Sequence, residues 1–154
     1  MNWELQHVLG RMAQAADRLG ATVAGYGGAS PDSRRGTLTI FHAERDGQRP
    51  FDPKPFDDLA EPGTEVRHAV SLLSAAEVEH IEELLTELRP AFHAAGVKLA
   101  AWGRFGDYRT NGETVYYSPA DAQLPSDLVA RTMQYGPGTV TFVPGDVRPA
   151  TRSS

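Results

Sequence analysis

The stretch Ser74 to Ala95, SAAEVEHIEELLTELRPAFHAA, dictates a long amphipathic helix, and the rest of the chain must be arranged around it. Val78, Ile81, Leu84, Leu85, Leu88 and Phe92 recur at three- and four-residue spacing and so form one apolar stripe. Glu79, Glu82, Glu83 and Glu87 fall on the other sides and predict a solvated acidic face. Ser74 followed three residues later by Glu77 is a capping box, which marks the start. Gly96 is placed to end the helix as a C-cap. A helix with one apolar side must bury that side against another layer.

The segments around it supply that layer. Leu5, Val8, Leu9, Met12, Ala16 and Leu19 stripe a first helix over residues 3 to 19, closed by Gly20. Thr37 to Glu44 alternates as a strand, as does Glu65 to Leu73. Val97 to Phe105 and Glu113 to Tyr117 are strands joined through the turn signal Asn111-Gly112. A third helix is expected from about Pro125 to Tyr135, and a last strand over Thr139 to Val143. Ala21 to Tyr26 reads as a short strand running into a mobile polar loop, Ser30 to Gly36. Asp46-Gly47 signals a turn that returns Gln48 to Phe51 as a brief edge strand. Residues 50 to 64, with four prolines and two phenylalanines, predict an irregular loop pinned by its aromatics.

Short connections between consecutive strands favour antiparallel pairing. The expected fold is therefore α+β, a mostly antiparallel sheet of five to six strands with about three helices on one face. A chain of 154 residues fits a single domain over 1–143 followed by a flexible polar tail over 144–154, with no internal repeat visible.

Composition removes function classes. A formal charge of -5 argues against a nucleic-acid partner, which usually demands a basic excess. No apolar run approaches the roughly 20 residues of a bilayer span, so no membrane partner is expected. With no cysteine there is no thiolate nucleophile, disulfide or zinc-thiolate site. The N-terminus shows no signal peptide, and the expected location is the cytoplasm. Arginine far outnumbers lysine, a codon bias of GC-rich bacterial genomes that carries no function.

Few residues assemble into chemistry. Glu77 and His80 have the spacing of helical carboxylate-bridged metal sites, but no second copy of the motif exists. Gly25-Tyr26-Gly27-Gly28 lacks the spacing of a phosphate-binding loop, and no nucleophile elbow occurs. No catalytic residue, metal ligand or cofactor is assigned, and an enzyme is the less favoured class. Trp102, Arg104, Tyr108, Arg109 and Tyr116 instead concentrate aromatic and arginine side chains in one hairpin, the residue types that dominate binding hot spots. The leading reading is a non-catalytic protein-binding module of adaptor, chaperone-like, regulatory or immunity type, with a protein partner or a second copy of itself. The acidic helix face is a secondary surface. The alternative is a small enzyme or ligand-binding domain whose pocket lies between the sheet and the 50–64 loop, using His42 and His68.

Overall fold

The computed structural model describes residues 3–145. Among the described residues the chain is α+β, with four helices and two three-stranded sheets. It divides into two compact units, Met1–Ala76 and Glu77–Ser154, where sequence alone suggests one domain with one sheet. Most of the expected 144–154 tail lies outside the described residues.

The first unit runs α1 (Trp3–Gly20), β1 (Tyr26–Asp32), β2 (Thr37–His42), α2 (Lys54–Asp57) and β3 (Glu65–Val70). β2 is the central strand, antiparallel to β1 and parallel to β3. Leu9, Met12 and Ala16 of α1 meet Leu38 and Ile40 of β2 in a core that also takes Tyr26 and Phe56. The segment expected as a mobile loop is instead the second half of β1 and its turn. Pro31 is accommodated because β1 is an edge strand, where a missing N–H costs no ladder bond. Asp46-Gly47 makes its turn, but no strand follows it. The 50–64 segment carries the short helix α2, and Phe56 anchors it with no exposed surface.

The second unit runs α3 (Ala75–Ala94), β4 (Lys98–Arg104), β5 (Glu113–Ser118), α4 (Ser126–Thr132) and β6 (Val140–Pro144). β5 is central, antiparallel to β4 and parallel to β6. Ser74 sits immediately before α3, and Gly96, at φ +87°, ends it with Val97 N–H returning to the Phe92 carbonyl at 2.9 Å. Val78, Ile81, Leu85, Leu88 and Phe92 are all buried, as their spacing predicts.

The two units repeat one topology, helix–strand–strand–short helix–strand, with the central strand pairing the same way in each. Details of the ladders align them residue by residue. The first strand is bulged after Tyr26 in β1 and after Leu99 in β4. The central strand's last carbonyl bond comes from Ser71 N–H to His42 in one unit and from Gly145 N–H to Tyr117 in the other, each 2.8 Å. On that register Leu38, Ile40 and His42 correspond to Glu113, Val115 and Tyr117, and Pro31 corresponds to Arg104. The expected mostly antiparallel sheet is thus two mixed sheets, because each third strand is reached through a crossover that contains a short helix and returns parallel.

Candidate functional site

Alternation along β4 and β5 sorts the hairpin's side chains into two sets. Glu113, Val115 and Tyr117 are buried, whereas Thr114 and Tyr116 are only half-buried on the opposite side of β5. Ala101 stands across from Tyr116 and Gly103 across from Thr114. Phe105 folds back over Gly103, where a Cβ would lie 2.7 Å from its ring, so only glycine admits this ring position. Phe105 remains 45% exposed and meets Tyr116 edge-on, with ring centres 6.2 Å apart.

The tip between the strands is wider than the two-residue turn expected from Asn111-Gly112. It is ordered by its own polar groups. The Asp107 carboxylate accepts from the Arg109 backbone N–H at 2.9 Å and from Arg109 Nε at 3.1 Å. Asn111 N–H donates to the Asp107 carbonyl at 2.8 Å, and its side-chain amide donates to the Phe105 carbonyl at 3.2 Å. The Arg109 hydrogen bond holds the Asp107 carboxyl below its usual range and raises the Arg109 guanidinium. Beside this tip opens a cleft of about 240 Å³, whose lining includes Phe105, Asn111, Gly138 and Thr141.

The five hairpin residues expected to act together divide into four groups. Arg104 stacks on Tyr108 with its guanidinium 3.8 Å from the ring centre, and both are half-buried. Arg109 is exposed and turned to Asp107. Tyr116 belongs with Phe105 on the outer side, while Trp102 lies under Arg89 of α3 at 5.4 Å. Phe105, the most exposed aromatic of the hairpin, stands outside the five.

Arg104 also belongs to a charged cluster between the sheet and α3. It is the ladder partner of Glu113, whose side chain is 0% exposed with both carboxyl oxygens buried and without a hydrogen-bond partner. Burial, followed by the neighbouring Glu82 carboxyl, pushes Glu113 up to about 8, and Arg104 opposes that rise. Two ionised carboxylates cannot hydrogen-bond each other; a proton on one of them supplies the donor. Glu82 therefore leaves the solvated face expected for it: it is half-buried toward β5, whereas Glu79, Glu83 and Glu87 are exposed. Burial also lowers the Arg104 guanidinium, against the favourable fields of Tyr108, Glu113 and Glu77. His80 is held by the Tyr135 hydroxyl at 2.7 Å.

In the first unit His42 and His68 do converge, on Phe51 of the proline-rich segment. His42 stacks on that ring at 4.5 Å and His68 meets it at 6.1 Å. His68 Nε2 pairs with Asp57 Oδ1 at 2.6 Å, and His42 Nε2 lies 3.7 Å from Glu44. Both Nδ1 atoms are buried with no hydrogen-bond partner. A cleft of about 280 Å³ adjoins His42 and Phe51, with Arg45, Gln48 and Arg49 on its rim, but His68 does not line it. Among the described residues no three His, Asp or Glu side chains are grouped to hold a metal ion, and no helix is long and apolar enough to cross a membrane.

No protein-family model and no curated protein matches the chain. Among solved structures it is similar to the periplasmic domain of the T3SS inner membrane protein PrgH from S. typhimurium, at 14% identity and a TM-score of 0.31, over 91% of this chain and 77% of that one. A second structure of the PrgH periplasmic domain aligns at 12% identity and the same TM-score, over 97% and 74%. A superposition this loose transfers no role.

Proposed function

We propose that the chain is a non-catalytic protein-binding module of adaptor, chaperone-like, regulatory or immunity type, which engages its partner through the tip and outer side of the β4–β5 hairpin. The observation that carries this reading is Phe105, exposed beside a preordered tip and backed by Tyr116. Covering an aromatic that the fold leaves 45% exposed recovers about half of the ~1.5–3 kcal/mol that full burial of a side chain this size gives. Asp107 and Asn111 already order the tip, so little conformational entropy is lost on docking. Arg109 adds a cation at the rim, and the adjoining cleft can receive one partner side chain.

Affinity capture with the intact chain and with Phe105→Asp, read side by side, tests the assignment. A partner or self-associated species that the wild type holds and the variant releases supports it. Retention by the variant, or no partner and no self-association for the wild type in light scattering, sinks it.

A second reading rests on the His42–Phe51–His68 cluster, which would place a small ligand against the aromatic wall under Arg45 and Arg49. The buried Nδ1 atoms make either histidine a poor proton shuttle for a ligand in that cleft. Thermal-shift screening with metabolites separates the two readings, since a ligand at 100 times its dissociation constant adds about 2.7 kcal/mol.

A further inference from the structure

The duplicated topology isolates one anomaly. At the position where the first unit places Leu38, fully buried, the second places Glu113, equally buried, and the strand opposite carries Arg104 where the first unit has Pro31. A leucine already serves this layer of the fold, so a carboxylate here is not required by packing. Burying it costs stability unless it is neutral or fully paired.

We propose that Glu113, Glu82 and Arg104 form a proton-operated latch that sets the position of the Arg104–Tyr108 stack at the base of the hairpin tip. The groups facing Glu113 are few. From α3 comes the Glu82 carboxyl; from β4 comes Arg104, whose other neighbours are Glu77 and Tyr108; β6 presents uncharged Val140 in register. With a proton on Glu113 the two carboxyls share it, and Arg104 is left to Tyr108 and Glu77. Loss of that proton puts two negative charges side by side in a buried site. Among the described residues Arg104 is the cation that acts on Glu113, so its guanidinium is drawn across the ladder toward the new charge. That movement loosens its 3.8 Å stack on Tyr108. Glu113 is pushed up to about 8, so the change falls close to neutral pH, where small differences between compartments or growth conditions reach it.

The consequence for a partner rests on the hairpin being the binding surface, but the latch itself is read in the free protein, so each idea can fail alone. Carboxyl-carbon and tyrosine-ring NMR of the full chain, titrated from pH 5 to 9, is the direct test. The Glu113 carboxyl resonance is expected to inflect near pH 8, and the Tyr108 ring resonances to move with the same midpoint. In Glu113→Gln the Tyr108 resonances stay flat and near their low-pH positions. In Glu82→Gln the Glu113 midpoint falls by at least one pH unit, because the like charge is gone, which provides a second route should the first variant fold poorly. A Glu113 inflection below pH 5.5 overturns the proposal. So does a Tyr108 signal that ignores the Glu113 transition.

Discussion

Replacing Glu113 with leucine, the residue that the fold itself uses at the matching position, should stabilise the second unit in a pH-dependent way. The folded carboxyl binds its proton up to about pH 8, whereas an ordinary glutamate releases it near 4.5. Below 4.5 both states are protonated and this group adds no pH-dependence. Between 4.5 and 8 the folded state holds one proton more than the unfolded state, so wild-type stability falls as pH rises, by about 1.4 kcal/mol per pH unit. Above 8 the loss levels off. Across that window the ceiling is roughly 5 kcal/mol, a figure that already contains the opposing effect of Arg104. Leucine has no such titration, and Arg104 keeps Glu77 and Tyr108 as neighbours. Urea unfolding at pH 5, 6, 7 and 8 measures the difference, with Trp102 as reporter in a Trp3→Phe background; Trp3 is largely exposed and belongs to the other unit. The gap between Glu113→Leu and wild type should widen steadily toward pH 8. Parallel stability curves, or a variant less stable than wild type at pH 8, would refute the reasoning.

Other perturbations give distinct outcomes. Phe105→Asp should leave the melting temperature within about 2 °C of wild type while weakening partner binding at least tenfold, as calorimetry with the captured partner would record. Asp107→Ala removes the acceptor of the Arg109 backbone N–H and Nε hydrogen bonds, so amide exchange at Arg109 should accelerate while that of Val115 is unchanged. Phe56→Ala empties the centre of the first unit, where Phe56 lies between Tyr26 and Phe51, and should cost about 3–5 kcal/mol in urea unfolding followed by far-ultraviolet circular dichroism.

Much of the local structure is legible in the sequence because it rests on periodicity. The stripe of α3 and the alternation of Leu38 with Ile40 place those elements within a residue or two. Strand direction is not legible in the same way. β3 and β6 pair in parallel because of where their crossovers run; α2, with 4 residues, is too short to show a period, and α4, legible as a helix, does not itself reveal the direction of the strand that follows it. The repeat is hidden because the units share burial and not identity: Leu38 answers to Glu113 and Pro31 to Arg104. Glu82 reads as a solvated residue on a helical wheel, since a wheel does not contain the strand opposite. Glu113 did leave a trace. It shares its strand parity with Val115 and Tyr117, so alternation alone assigns a carboxylate to the apolar side of β5.

The duplication also gives the chain an internal reference. Ile40 and Val115 hold matching ladder positions, one next to a leucine and the other next to an ionisable carboxyl. Any change in solvent, salt or temperature reaches both in the same sample. The ratio of their amide protection therefore cancels what is common to the two halves and sets the Glu113 position directly against the leucine that stands at the same place in the first unit.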